Sequence, residues 1–216
     1  MISRCRKKLY SASSRKKFWE GNKKNFERNI KRIIRELKFP KKWKVYIATG
    51  SFLTDKRLLP FDYDVWSGTF LSSATKRQGF EILMFLNRRW AEFLSIPALI
   101  PLVVHEAEHA KHAAKHPRES LKSYFDDTLA KKDEKTAELA VRKLPKEFQD
   151  EAALESILYC YDIGGWKVAK KMADYLWKEQ AEIYSGGYDP GMTKAQYNLF
   201  LRSKKTRDIK SLIKKF

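Results

Sequence analysis

"LIPLVVHEAEHAKHAAKH", residues 99–116, contains all four histidines of a 216-residue chain. Its apolar first half and its four alanines predict a helix from about residue 98 to 116, which Pro117 ends. His105 and His109 are one turn apart, so they share one face of that helix. With Glu106 beside the first histidine they form the pattern H-E-x-x-H.

This pattern predicts a metal centre. Two imidazoles placed one turn apart can hold one Zn²⁺, at about 2.0–2.1 Å each. Glu106 projects about 100° round the helix from His105, where it can take a proton from water that the metal has acidified. We therefore predict His105 and His109 as zinc ligands and Glu106 as the catalytic base. The alternative is an inert helix with surface histidines.

A catalytic zinc site needs a third protein ligand. The longer pattern H-E-x-x-H-x-x-G-x-x-H is not followed, because His112 stands at its glycine and Lys115 at its third histidine. The later segment "DEKTAELA" offers Glu134 and Glu138 on one helical face. We predict that Glu134 ligates the metal and that Glu138 accepts the N–H of a ligand histidine. The competing third ligands are Glu119, Asp126 and Asp127.

Stabilisation of an oxyanion would need a further polar side chain. The candidates downstream of the pattern are Tyr159, Tyr161, His112 and Arg142, and the sequence does not choose among them.

The order of predicted elements places this helix in an α+β fold. Residues 23–38 form an amphipathic helix, and the second half of the chain is helical by its period. Three segments between these parts read as strands of a small sheet. They are 43–50, 63–71 and 80–87.

Net charge divides the chain into three parts. Residues 1–43 carry 16 Lys or Arg against 3 Glu, residues 194–216 carry 8 against 1 Asp, and the remainder is near neutral. The basic ends predict contact with nucleic acid or another anionic surface, or else a solvated face. With 2 cysteines, no secretory leader and no apolar run long enough to span a bilayer, we expect a cytoplasmic protein.

"HEAEH" followed by "EKTAE" resembles the gluzincin pattern, in which a glutamate helix follows H-E-x-x-H. The arrangement is similar to that of the HtpX-like and CAAX prenyl protease membrane peptidases and of the soluble minigluzincins. The resemblance covers roughly residues 44–145 and implies a zinc metallopeptidase acting on peptides or proteins. It also implies a zincin-like three-stranded sheet packed on the active-site and glutamate helices, with additional C-terminal helices. The last position of the glutamate-helix motif is Glu138, where Asp is commoner.

The expected organisation is therefore a basic helical extension (1–43), a catalytic core (44–145) and a helical C-terminal region (146–216). The main alternative function is a nucleic-acid- or polyanion-binding protein in which the H-E-x-x-H site is structural or inactive.

Overall fold

The computed structural model describes the backbone of residues 9–37, 43–50, 68–75, 79–179, 192–206 and 212. Side chains are described over 9–37, 90–178, 192–204 and 212. The helices, in chain order, are α1 (Ala12–Glu36), α2 (Arg88–Ala91), α3 (Ile96–Lys115), α4 (Pro117–Ser123), α5 (Asp127–Arg142), α6 (Lys146–Asp174) and α7 (Lys194–Thr206). A π-helical turn, Tyr175–Glu179, continues α6.

The predicted α+β fold class is wrong. The part of the chain whose side chains are described is 87% helical and contains no strand, so this part is all-helical. Extended backbone runs through β1 (Trp43–Gly50), β2 (Gly68–Thr75) and β3 (Gly79–Asn87), which pair in the order β1-β3-β2. The buried side chains that the structure describes lie on helices and on the turns next to them. Alternating apolar residues favoured strands locally, but helices supply the side chains that are buried together.

Helix α1 begins eleven residues before the predicted start at 23, because Ser11 caps it by accepting a hydrogen bond from the Ser14 N–H at 3.1 Å. Its buried side holds Arg15 as well as apolar side chains. The Arg15 guanidinium donates to both carboxylate oxygens of Asp162 at 2.8–2.9 Å, and Trp19 Nε1 donates to the same carboxylate at 2.9 Å. A buried charge is stabilised when it is paired in this way, so α1 is joined firmly to α6.

Helix α3 carries His105, His109 and His112, with His116 as its C-cap, and confirms the helix predicted at 98–116. Ser95 caps it by accepting from the Ala98 N–H, and Pro97 occupies the first turn, where no N–H is needed. Glu155 of α6 accepts from both the N–H and the hydroxyl of Ser95, at 2.7 and 2.6 Å. The start of α3 is therefore bound to a buried carboxylate of a second helix.

The histidine face of α3 is possible because its other face is apolar and mostly small. Leu99, Val103 and Ala107 pack with α1 residues Phe26 and Ile30 in one buried cluster. Further alanines continue that face, and small side chains allow neighbouring helices to approach closely. The histidines lie on the opposite side, where α5 packs against α3.

Helices α5 and α6 follow the predicted helical period with shifted bounds. Asp126 caps α5 by accepting from the Thr128 and Leu129 N–H groups, so this helix begins at Asp127 rather than near Asp133. Helix α6 is interrupted at Gly165, whose φ of 65° is readily adopted only by glycine. This break agrees with the predicted separation of helices at 147–161 and 166–184.

A second buried cluster joins α6 and α7 with the start of the chain. Its largest fully buried members include Leu9, Leu154, Leu158 and Phe200, and Trp166 stacks on the Phe200 ring with centroids 4.3 Å apart. The three-part division at 43 and 145 stays a prediction, but α1 contributes to both clusters. Among the described residues, no helix is long and apolar enough to cross a bilayer.

Candidate metal centre

The histidine face of α3 meets an acidic face of α5. His105 and His109 direct their Nε2 atoms towards each other at 3.1 Å. Glu134 reaches both from α5, with one carboxylate oxygen 3.2 Å from His105 Nε2 and the other 3.4 Å from His109 Nε2. One ligand atom of each of the three side chains lies within 4.8 Å of the others, close enough to share one metal ion.

Asp133 fixes the orientation of His109. The Nδ1–H of His109 donates to Asp133 Oδ2 at 2.9 Å. When a metal ion replaces the proton on Nε2, this hydrogen bond keeps the proton on Nδ1 and leaves the lone pair of Nε2 for the metal, which is the tautomer that a metal requires. Asp133 is 15% exposed, and its second oxygen lies 2.8 Å from His112 Nδ1. It therefore links two histidines of α3 to α5.

Glu138 lies beside His105, the other histidine of the H-E-x-x-H pattern. One of its oxygens is 3.8 Å from His105 Nδ1, longer than a hydrogen bond but within ion-pair range. The other oxygen is 3.8 Å from Arg142 Nε. Burial raises the pKa of Glu138, while His105 and Arg142 act in the opposite direction. Glu138 therefore lies next to His105, and its role as acceptor of the N–H of a ligand histidine stays a prediction.

Electrostatics at the centre favour a cation. Burial alone would lower the pKa of His109, but the hydrogen bonds to Asp133 and Glu134 outweigh it and raise this pKa from 6.5 to about 10. Burial would raise the pKa of Glu134, but hydrogen bonds from His105 and His109 hold it well below its usual range. The two carboxylates stay ionised and stabilise positive charge on His109, and an ionised acidic group of this kind also attracts a divalent cation.

The residues at the centre fit Zn²⁺ by donor chemistry. Two imidazole nitrogens and one carboxylate are the three protein ligands typical of a catalytic zinc site, and a fourth position stays open for a small molecule. The exposed fraction is 20% for the His105 side chain, 11% for His109 and 39% for Glu134. The centre is therefore partly shielded but open on the Glu134 side.

Glu106 lies beside this centre on α3 and is 3% exposed. Its position is about 100° round the helix from His105, between the histidine face and the apolar face. A carboxylate excluded from bulk water beside a metal centre is suited to accept a proton from a bound water molecule.

The competing ligands lie elsewhere. Glu119 pairs with Lys132 at 2.7 Å. Asp126 serves as the cap of α5, and Asp127 is exposed in its first turn. Neither they nor Glu119 joins the group formed by His105, His109 and Glu134.

The four candidates for stabilising an oxyanion lie in two different parts of the structure. Tyr159 stacks on Phe93 inside the core, and Tyr161 packs at the edge of the same cluster. His112 contacts Asp133, and Arg142 contacts Glu138, so these two lie beside the metal centre. The geometry therefore favours His112 and Arg142 over the two tyrosines for contact with a bound substrate.

Sequence reasoning missed Asp133. The segment "DEKTAELA" placed it at the start of a helix, whereas it lies in the second turn of α5. Its position directly before Glu134 was the available indication, because neighbouring residues on a helix can reach successive turns of a facing helix. The pairing of Asp133 with two histidines depends on how α3 and α5 cross, which the sequence does not state.

Comparisons with known proteins find no relative from which a function could be inferred. No protein-family model matches the chain, and neither the curated proteins nor the solved structures include a match. Function is therefore argued from the centre itself.

Proposed function

We propose that this protein is a zinc-dependent metallopeptidase. The observation that carries the proposal is the convergence of His105, His109 and Glu134 from two helices, with the H-E-x-x-H glutamate beside them. The peptidase class follows from the resemblance of "HEAEH" and "EKTAE" to the gluzincin pattern. A metal centre of this composition supports hydrolysis in general, and the resemblance narrows it to peptide bonds.

Each residue has a role in this proposal. His105, His109 and Glu134 would hold Zn²⁺, and Asp133 and Glu138 would keep the two imidazoles in the ligating orientation. Zinc bound there would acidify water and polarise the peptide carbonyl. Glu106 would accept the proton of the attacking water and then deliver it to the leaving amine nitrogen.

The substrate would be an extended peptide approaching from the exposed side of Glu134. His112 and Arg142 would contact the developing negative charge at the carbonyl oxygen, because they border the centre. With 2 cysteines in the chain and Cys160 a free, buried thiol, we propose a reducing compartment such as the cytoplasm.

A single substitution separates metal binding from catalysis. Glu106→Gln keeps the ligands and removes the base, so it should retain zinc while hydrolysis of unfolded casein falls by about 100- to 10,000-fold. Glu108→Gln is the matched control, since Glu108 lies two residues away on α3 and pairs with Lys111. Absence of hydrolysis in the zinc-loaded wild type, or equal hydrolysis in wild type and Glu106→Gln, would refute the proposal.

A further inference from the structure

Helix α1 carries a straight line of cations. Lysines and arginines recur at spacings of seven, four, three and four residues, which keeps them within about 40° of one line along the helix. All five side chains are exposed. The members of this cationic line are Lys17, Lys24, Arg28, Lys31 and Arg35.

The line faces away from the body of the protein. On the opposite side of α1, Trp19, Phe26 and Ile33 are buried in the two apolar clusters. The helix is therefore held as a rigid rod with its cations outward, over a length of about 27 Å at 1.5 Å per residue. Its acids, Glu20, Glu27 and Glu36, lie about 50° or more from the centre of the line.

The cations of the line keep their charge available. Among the described residues, no carboxylate pairs with any of the five, whereas two other cations of α1 do have partners: Arg15 pairs with Asp162 and Lys23 with Glu92. Arg28 donates one hydrogen bond to Asn25 Oδ1 at 2.6 Å, and Arg35 donates one to the Lys31 carbonyl at 3.2 Å. A guanidinium has five N–H donors, so both arginines retain donors for an external anion.

We propose that the cationic line binds the phosphate backbone of double-stranded nucleic acid. The last four cations rise by about 4.5–6 Å from one to the next, which is on the scale of successive phosphates along a strand. A straight, rigid line of about 27 Å matches a stiff duplex over about eight base pairs. The contacts reach phosphates alone, so binding is independent of base sequence.

Two other polyanions fit this face less well. A helix that inserts in a bilayer surface presents large apolar side chains beside its cations, but those of α1 point into the protein. Single-stranded nucleic acid is held by aromatic side chains that stack on bases, and residues 12–36 expose no aromatic ring of that kind. The cationic line contains no residue of the metal centre, so the proposal of duplex binding is tested independently of the proposed peptidase activity.

The test measures binding of the full chain to a fluorescent DNA duplex of mixed sequence over a range of salt concentrations. In Lys24→Gln/Arg28→Gln/Lys31→Gln, three phosphate contacts are lost, so the slope of log affinity against log salt should become shallower by about 2.7. The matched control Arg118→Gln/Lys122→Gln/Lys143→Gln removes the same charge from exposed positions outside α1 and should keep the wild-type slope. Thermal unfolding of each variant checks that it is folded.

Three outcomes would overturn the proposal. One is equal loss of affinity in the two triple variants, which would assign binding to net charge alone. Another is a wild type that does not bind the duplex at low salt. The third is binding to vesicles of phosphatidylcholine and phosphatidylserine that is weakened by the α1 substitutions while duplex binding is not, which would assign the line to a membrane surface.

Discussion

Helix α3 meets two buried or half-buried carboxylates that behave in opposite ways. Glu134 faces His105 and His109, and their hydrogen bonds hold its pKa well below the usual range in spite of burial. Glu155 of α6 is fully buried against the start of α3, and the described groups that act on its pKa, Ser95 and Glu151, include no cation. There burial raises its pKa from 4.5 to about 8, against the hydrogen bonds from Ser95, and nearby Glu151 adds to the rise.

The difference shows that neighbours determine the chemistry of a glutamate in this fold. Glu134 is an anion ready to bind a cation because two imidazoles face it. Glu155 is a structural acid that ties α6 to the start of α3, and its burial favours the protonated form. Both are acids on helices packed against α3, so composition alone would not separate them.

The largest expected effect is at the ligand carboxylate. Four-ligand structural zinc sites are worth about 10–16 kcal/mol, or roughly 3–4 kcal/mol per ligand. Glu134→Gln should therefore weaken zinc binding by about 100- to 1,000-fold, as measured by competition with a chromogenic chelator. The exposed Glu147→Gln is the control and should bind zinc as the wild type does. Unchanged affinity in Glu134→Gln would remove this residue from the centre.

The buried carboxylate predicts a pH dependence of stability. Between about pH 4.5 and 8 the folded chain keeps the Glu155 proton that the unfolded chain loses, so the free energy of unfolding should fall as pH rises through this window. The fall attributable to Glu155 amounts to a few kcal/mol. The raised pKa of His109 also makes the free energy of unfolding depend on pH above 6.5. The free energy of unfolding in urea is therefore measured for wild type and for Glu155→Gln, and the difference between the two is compared across pH. Parallel pH profiles for the two proteins would contradict the assignment.

A smaller effect on zinc affinity is expected at Asp133, which contacts a predicted metal ligand rather than the metal. Asp133→Asn keeps the shape but weakens acceptance of the His109 Nδ1–H, so zinc affinity should fall by about 10- to 100-fold. Asp127→Asn, an exposed position on the same helix, is the control. If Asp133→Asn matched the wild type, the aspartate would not orient His109.

The smallest effect is at the cap of α3. Ser95→Ala removes the hydroxyl that accepts from the Ala98 N–H and donates to Glu155, so unfolding should become easier by about 1–2 kcal/mol. Urea denaturation measures it, with Ser13→Ala as an exposed control. A loss below the experimental error would show that the link between α3 and α6 contributes little.

The sequence predicted which side chains come together on α3 and α5 better than it predicted the fold class, and a metal bound by them stays a prediction. Helical spacing was sufficient to place His105 beside His109 and Glu134 beside Glu138, because these are relations within one helix. The meeting of α3 and α5 was expected only through the gluzincin resemblance. Asp133 was missed because its contacts depend on the crossing of two helices.

The features of the fold that the sequence did not predict depend on contacts between residues far apart in the chain. Helix α1 begins at Ala12 and is joined to α6 through Arg15 and Asp162, which are 147 residues apart. No local sequence pattern predicts a hydrogen-bonded ion pair between residues so far apart. The predicted α+β class was wrong because alternating residues indicate extended structure only locally, whereas the part of the chain whose side chains are described is 87% helical.

The central claim is that His105, His109 and Glu134 hold one zinc ion. X-ray absorption at the zinc edge, on the zinc-loaded full chain, tests it most directly. The account predicts a first shell with two imidazole nitrogens at about 2.0–2.1 Å and oxygen ligands at about 2.0–2.2 Å, with the imidazole scattering lost in His105→Ala/His109→Ala. A zinc shell without imidazole scattering in the wild type, or the same shell in that double variant, would contradict it.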